Sequence, residues 1–279
     1  MIGQTQILDM VDCWIANNSV PRFMIICGGR LCGKTYLAKE IAKRMKSYLI
    51  QCEQSVDSVR EAVKNCYKCA GTTVYLFDNA DNMSAAAKNA LLKITEEPPR
   101  QAHFIVVVRN LENMLPTLRS RATVLQMAPY SKYELDEFYK TQPVKLSPLI
   151  REVCNVPGMM LEMENVNVEE LVAFCNSIVD NIQQVTGVNA LKITQRIRIK
   201  EDGPGYDPDL FFHTLQYVIS KRIWDLHVNR DVDPFSAVSK LRTLARMLVT
   251  TNKYYNEFNL VGVKKDATLD MWILEMREC

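Results

Sequence analysis

The chain has 279 residues, of which 48% are hydrophobic and 24% are charged, and its net charge is +2. This composition is typical of a globular protein with a sizeable core, so it excludes a mainly disordered chain. Because this net charge is close to zero, it excludes a protein that binds nucleic acid simply as a polycation. The charge is nevertheless uneven, because residues 1–128 hold 16 basic and 11 acidic residues (+5), whereas residues 129–279 hold 18 and 21 (−3).

Apolar runs in this sequence are too short to span a bilayer, and the first residues lack the pattern of a secretory signal. We therefore expect a cytoplasmic protein with no membrane partner. In that reducing compartment, most of the nine cysteines are expected to be buried thiols rather than a disulfide framework.

Strand-like and helix-like segments alternate over the first 128 residues. The predicted strands are 23–27, 48–50, 73–77, 103–108 and 124–127, and the predicted helices are 35–45, 55–69 and 84–97. The strands are mostly short apolar runs, whereas the helices repeat apolar residues at helical spacing, as with Leu37, Ile41 and Met45. The alternation predicts an α/β fold with a parallel, doubly wound sheet covered on both faces.

After Pro129 the pattern becomes helical throughout. The predicted helices are 131–140, 147–155, a short segment after Pro157, 168–186, 188–199, 208–228, 234–256 and 266–277. We expect three domains: an α/β core at 1–128, a small three-helix domain at 129–166, and an all-helical domain at 167–279.

The strongest motif lies between the first predicted strand and the following helix. Its sequence, Gly-Gly-Arg-Leu-Cys-Gly-Lys-Thr at 28–35, fits G-x-x-x-x-G-K-[ST], the phosphate loop of ATP-binding proteins. Gly28, Gly29 and Gly33 allow the backbone N–H groups to curl around phosphate oxygens. Lys34 reaches the β and γ phosphates, and the hydroxyl of Thr35 ligates Mg²⁺.

A second Mg²⁺ group is expected from a neighbouring strand. Asp78 directly follows the apolar run 73–77, which is the Walker B arrangement. Many ATPases carry a glutamate next, whereas this chain has Asn79, whose amide cannot accept a proton from the attacking water. The residues therefore favour ATP binding over ATP hydrolysis.

Three further segments resemble the AAA+ clamp-loader subunits of DNA replication. These are Ile-Gly-Gln at 2–4, Asn-Ala-Leu-Leu-Lys-Ile-Thr-Glu-Glu-Pro-Pro at 89–99, and Leu-Pro-Thr-Leu-Arg-Ser-Arg-Ala at 115–122. The resemblance spans most of the chain and is greatest for the delta-prime class. It implies a P-loop AAA+ core, a helical lid at 129–166, and an oligomerising collar at 167–279. The implied partners are the other subunits of a hetero-pentameric ring, a sliding clamp, and primer-template DNA held through its phosphates.

The resemblance also implies roles for single residues. Arg121 corresponds to the arginine finger that acts in a neighbouring subunit's ATP site. Departures from the family pattern lie at the polar sensor, which aligns near Val108 and Arg109, and at the lid arginine, where this chain has Gly158. The resemblance thus implies a subunit that binds ATP with Mg²⁺, hydrolyses it slowly or not at all in its own site, and donates Arg121.

Lysines on two predicted helices are candidate DNA contacts. Lys88 and Lys93 follow the Walker B segment, and Lys64 and Lys68 lie on the preceding helix. A solvated helix face explains each lysine equally well, so both interpretations stay open.

Zinc is the remaining cofactor question, because many relatives carry a four-cysteine module between the Walker A and B segments. This chain has only Cys52, Cys66 and Cys69 there, with no nearby histidine. Three ligands need a fourth from elsewhere, so we do not expect zinc.

Two other classes of protein are compatible with the phosphate loop. A stand-alone P-loop ATPase or kinase needs neither Arg121 nor an all-helical tail. A purely structural AAA+ subunit needs no intact Lys34, Thr35 and Asp78.

Overall fold

The computed structural model describes residues 2–68, 70–97, 99–142, 146–197, 205–228, 233–260 and 262–279. Contacts divide the chain into two compact units: Met1–Thr141 with Asn155–Gly158, and Gln142–Cys154 with Met159–Cys279. The division into domains at 1–128, 129–166 and 167–279 stays a prediction.

A five-stranded parallel sheet forms the centre of the first unit. Its strands are β1 (Phe23–Cys27), β2 (Tyr48–Cys52), β3 (Thr73–Phe77), β4 (Ala102–Val108) and β5 (Thr123–Gln126). Their spatial order is β2-β3-β4-β1-β5. The predicted α/β class with a parallel sheet is confirmed.

Three central strands are buried on both faces, which explains their continuous apolar runs. Successive residues of one strand pack on opposite faces of the sheet. Ile25 belongs to the apolar cluster on one face, and Ile26 belongs to the cluster on the other. By contrast β2 lies at the edge of the sheet, and its Tyr48 is 75% exposed.

The described residues of the first unit also form six α-helices. They are α1 (Thr5–Ala16), α2 (Lys34–Arg44), α3 (Val56–Asn65), α4 (Ala85–Glu96), α5 (Pro116–Arg119) and α6 (Lys132–Thr141). As predicted, Ser55 caps α3 and Ser84 caps α4, each accepting a hydrogen bond from a backbone N–H three residues on.

The helical predictions needed three corrections in this unit, one of which is the four-residue helix α5, which was not predicted. The predicted helix 55–69 is α-helical only to Asn65, and a 3-10 turn covers Cys66–Lys68, while Cys69 lies outside the described residues. Helix α1 was missed, although Ile7, Leu8 and Val11 form the apolar stripe that buries it against the sheet.

The regular structure of the second unit is helical in all its described residues. Its main helices are α7 (Pro148–Val153), α8 (Pro157–Glu162, whose first two residues pack with the first unit), α9 (Val168–Asn181), α10 (Gly187–Ile197), α11 (Pro208–Val228), α12 (Pro234–Phe258) and α13 (Lys265–Met276). Edge-to-face contacts between Trp272 and both Phe211 and Phe212, at 5.4 and 5.5 Å between ring centroids, form its aromatic centre. The predicted helix 188–199 ends in residues that lie outside the described part of the chain.

Within the described ranges, no helix combines the length and the apolar character needed to cross a membrane.

Candidate nucleotide-binding site

The phosphate loop connects the carboxyl end of β1 to the start of α2, which is the context that its motif requires. Gly33 has φ +87°, and it precedes the first residue of α2. A Cβ at Gly28 would lie 2.8 Å from Met127 Cβ, so only glycine fits there. A Cβ at Gly29 would meet no atom within 4 Å, so the loop is open on that side.

Lys34 and Thr35 occupy the first turn of α2. The Lys34 side chain is buried, and its Nζ donates a hydrogen bond to the backbone oxygen of Gly29 within the same loop. The Thr35 hydroxyl donates to Asp78 Oδ2 over 2.8 Å. The two expected Mg²⁺ groups are thus adjacent, because the carboxyl ends of β1 and β3 lie at the same end of the parallel sheet.

The residues present fit a magnesium ion. Mg²⁺ prefers oxygen ligands and is commonly held by one or two protein groups together with phosphates and waters. The Thr35 hydroxyl and the Asp78 carboxylate supply that donor set at one point beside the phosphate loop.

The backbone around Asp78 is held by two further contacts. Gln54 Nε2 donates to the Asp78 backbone oxygen over 2.6 Å, and the Asn79 N–H donates to Asp78 Oδ1 over 2.9 Å. Asn79 has φ +49° and an exposed side chain. Gln54 was not predicted as a site residue, because it lies in the loop after another strand, β2, and no sequence motif marks it.

Asp81 is a buried carboxylate that was also not predicted as a site residue. It is 6% exposed and accepts hydrogen bonds from the N–H groups of Arg109 (2.7 Å) and Asn110 (3.2 Å), and from Asn113 Nδ2 (2.8 Å). Asp81 therefore fixes the loop that follows β4. The amide oxygen of Asn110 accepts from the Glu112 N–H, so this side chain has a capping role.

Arg121 lies at the end of the sheet where the parallel strands begin, whereas the phosphate loop lies at the end where they finish. It precedes β5, whose first residue pairs with Met24 in β1, whereas the loop follows the last residue of β1. The side chain is exposed, and its Nη1 donates to the Thr117 backbone oxygen over 2.9 Å. The structure therefore does not bring Arg121 to Lys34 and Thr35 of its own chain.

The two candidate DNA contacts on α4 have different surroundings. Lys88 is buried, and its Nζ donates to the Asp81 backbone oxygen over 3.4 Å. Lys93 is exposed. It helps to line a groove of about 490 Å³ between α3 and α4, whose lining residues are Arg60, Val63, Lys64, Tyr67, Asn89, Ala90 and Lys93.

The cysteines considered for zinc have separate environments. Burial raises the pKa of the Cys52 thiol to about 11, and Cys66 Sγ donates to the Val63 backbone oxygen over 3.0 Å. Cys69 lies outside the described residues. Within the described ranges, no three His, Cys, Asp or Glu residues are grouped to hold a metal ion. The expectation about zinc stays a prediction.

Known proteins similar to this chain were found by sequence. Residues 46–131 match the model of a family described as DNA polymerase III, delta subunit. The chain is 28% identical over 150 residues to DNA polymerase III subunit gamma of Buchnera aphidicola (subsp. Schizaphis graminum), covering 50% of this chain and 39% of that protein. It is 40% identical over 77 residues to DNA polymerase III subunit delta' of Escherichia coli, covering 26% and 23%. It is 25% identical over 151 residues to replication factor C subunit 3 of Schizosaccharomyces pombe, covering 49% and 44%.

Structural similarity extends further along the chain. A RuvB mutant from Thermotoga maritima superposes with a TM-score of 0.50 at 16% identity, covering 86% of this chain and 82% of that one. This similarity concerns the fold alone. The matched parts span less than half the length of these three curated relatives. Together the sequence matches confirm the resemblance to clamp-loader subunits, and the superposition shows a fold shared with that RuvB chain.

Proposed function

We propose, from the similarity of this chain to AAA+ clamp-loader subunits, that it is an ATP-binding subunit of a DNA-replication clamp loader. It acts in a hetero-pentameric ring that opens a sliding clamp and places it on primed DNA. One observation carries the nucleotide part of the proposal: the Thr35 hydroxyl meets the Asp78 carboxylate at 2.8 Å beside an intact phosphate loop.

ATP binding uses groups that the chain already brings together. The N-terminus of α2 and the N–H groups of the loop favour anionic phosphates. Lys34 exchanges the backbone oxygen of Gly29 for phosphate oxygens, which its flexible side chain permits. Mg²⁺, when bound, neutralises phosphate charge, and Thr35 with Asp78 holds it in place.

Hydrolysis in this site is slow or absent because two supporting groups are missing and a third is engaged in another hydrogen bond. The Asn79 amide cannot act as a base toward water. The amide oxygen of Asn110 is engaged with the Glu112 N–H, which makes it a poor sensor of the γ-phosphate. Gly158 has no side chain at the position of the lid arginine.

Arg121 completes the ATP site of a neighbouring subunit. The four residues of β5 separate Arg121 from the end of the sheet that carries its own phosphate loop. Along an extended strand this is a distance of about 13 Å. Its exposed guanidinium is free to approach another chain, where a positive charge stabilises the transferring γ-phosphate.

We assign the DNA contact to Lys93, with Arg60 and Lys64 across the same groove. Three cations in one groove suit a phosphate backbone, and such contacts are independent of base sequence. Lys88 contributes less to this surface, because its ammonium is buried and bonded to Asp81.

Association with partner subunits uses the helical second unit. Large apolar side chains are exposed in the last turns of α11 and the first turn of α12, with Trp224 at 66% and Phe235 at 91% exposure. Exposed apolar residues of this size are typical of protein interfaces. The negative balance of residues 129–279 agrees with a protein partner better than with a phosphate one.

Reconstitution tests this proposal. The full chain is combined with the replication subunits, sliding clamp and primed circular DNA of its own source, and DNA-retained clamp is measured with ATP and Mg²⁺. We expect loading to require the chain, and the isolated chain to turn over little ATP. Robust turnover by the isolated chain, together with loading that does not need it, would identify a stand-alone P-loop ATPase or kinase instead.

A further inference from the structure

Two successive carbonyl groups of the phosphate loop are held by residues outside the loop. The backbone oxygen of Leu31 accepts from the Gly158 N–H over 3.1 Å, and that of Cys32 accepts from the Tyr130 hydroxyl over 2.8 Å. Both donors lie after the last strand, yet they pack with the unit that contains the loop.

Position 158 has room for glycine alone. A Cβ there would lie 2.5 Å from the backbone oxygen of Leu31 and 3.0 Å from Leu31 Cβ. The contact involves backbone, so a rotamer change cannot relieve it. Val156 packs against the apolar cluster beneath the loop, which holds this segment in place.

Leu31 needs this support because its φ is +62°. A left-handed conformation is unfavourable for a residue with a branched side chain, and it persists only where neighbouring groups stabilise it. Alternation of such residues with right-handed ones turns successive N–H groups toward one point, where a phosphate binds. The hydrogen bond from Gly158 therefore supports the loop conformation that the phosphates require.

Residues near the start of the chain hold Tyr130 in place. Burial raises the pKa of Tyr130 to about 12, so its hydroxyl remains a donor at neutral pH. Its ring fills the space beside Gly3, where a Cβ would lie 2.8 Å from Tyr130 Cε1. Gln4 fixes the preceding backbone, donating to the Ala128 oxygen (2.8 Å) and accepting from the Ala128 N–H (2.9 Å).

We propose that Gly158 and Tyr130 are positioning residues that hold the phosphate loop in its binding conformation from outside the loop. It follows that any side chain at position 158 lowers nucleotide affinity, and this includes the arginine that related ATPases carry there. The inference rests on the proposed binding of ATP.

Calorimetric titration of ATP with Mg²⁺ into the full chain measures the first consequence. We expect Tyr130→Phe to weaken binding about threefold, since it removes one neutral hydrogen bond. We expect Gly158→Ala and Gly158→Arg to weaken it about tenfold or more. Gly187→Ala is the matched control, because a Cβ at Gly187 would meet no atom within 4 Å, and its affinity should equal the wild-type value.

Two results would overturn the inference. One is wild-type affinity in both Tyr130→Phe and Gly158→Ala, and the other is tighter binding by Gly158→Arg. Tyr130→Phe keeps the ring and its packing, so its thermal midpoint should stay near the wild-type value, which separates loop positioning from loss of the fold.

Thiol labelling without nucleotide gives a second, independent measurement. Cys32 is buried within the loop, whereas Cys13 on α1 is exposed and serves as an internal control. We expect the labelling rate of Cys32 relative to Cys13 to rise several-fold in Tyr130→Phe and Gly158→Ala, and an unchanged ratio would contradict the inference. If the wild-type chain failed to bind ATP, the proposed function would fall, and this ratio would still decide whether the two residues hold the loop.

Discussion

The Thr35 hydroxyl donates a hydrogen bond of 2.8 Å to the Asp78 carboxylate across 43 positions of sequence. The contact exists because β1 and β3 flank β4 in a parallel sheet, so their carboxyl ends lie at one edge. Walker A and Walker B groups that are separate in the sequence thereby form one oxygen-rich point beside a phosphate loop.

Replacing Asn79 with glutamate should raise ATP turnover in the assembled complex. A carboxylate after Asp78 can take the proton of the attacking water, and a general base typically contributes 10²–10⁴-fold. We expect ATP turnover to rise about tenfold. This gain lies below the typical range because the lid arginine is also missing. Phosphate release measures it, with Asn82→Glu as the control for added charge at a nearby exposed position. Equal turnover in the two variants would show that Asn79 does not limit hydrolysis.

Removing Arg121 should lower turnover of the assembled complex while ATP binding to the isolated chain stays unchanged. The guanidinium lies at the end of the sheet away from its own phosphate loop, so we expect its loss to affect only the ATP site of a neighbouring subunit. Arg100→Ala provides a matched control, because Arg100 is also exposed and precedes a strand at the same edge. An arginine finger is typically worth about 10³–10⁵ in rate, so a loss no larger than the control's would refute the role in trans.

Asp81→Asn should lower the free energy of unfolding by about 1–3 kcal/mol. The carboxylate accepts three hydrogen bonds while buried, and an amide replaces one acceptor oxygen by a donor group that faces other donors. Urea denaturation followed by circular dichroism measures the change. Asp9→Asn, at an exposed position of α1, should change stability by much less. A similar small effect for both variants would mean that Asp81 does not fix the loop after β4.

Lys93→Ala should weaken binding of the full chain to duplex DNA and reduce its dependence on salt. Each lost phosphate contact removes about 1 from the slope of log affinity against log salt concentration. Fluorescence anisotropy at several salt concentrations gives that slope, with Lys39→Ala on α2 as the exposed control. An unchanged slope in Lys93→Ala, or an equal drop in the control, would remove Lys93 from the DNA surface.

His103 should make stability fall under mildly acidic conditions. Burial lowers the pKa of His103, and Arg22 beside its ring opposes a second positive charge. The unfolded chain therefore binds the extra proton first, so the contribution is fully present above the ordinary histidine pKa and is lost as pH falls through the lowered one. Urea denaturation at pH 7.5 and 5.5 should show a smaller loss in His103→Gln than in the wild type. Equal losses would contradict this account.

The sequence predicted the elements that have strong local signals. Strands such as β3 and β4 are continuous apolar runs because they are buried on both faces, and that pattern needs no knowledge of neighbours. Ser55 and Ser84 marked the starts of two helices through a capping preference that is equally local.

Features that depend on the order of the strands in the sheet were not predicted from the sequence. Asp81 accepts hydrogen bonds from Arg109 and Asn110 only because β3 and β4 are neighbours, and the sequence does not state that. The contact between Gly158 and Leu31 also arises from tertiary packing. Lys88 shows the opposite case, since a lysine expected on the surface is buried and bonded to the Asp81 backbone.

Calorimetric titration of ATP with Mg²⁺ into the wild-type chain and into Lys34→Ala tests the central claim most directly. We expect saturable binding with one site in the wild type, the same affinity in the Lys39→Ala control, and no detectable binding in Lys34→Ala. Equal affinity in the wild type and Lys34→Ala, or no binding by the wild type, would contradict the assignment of residues 28–35 and Asp78 as a nucleotide site.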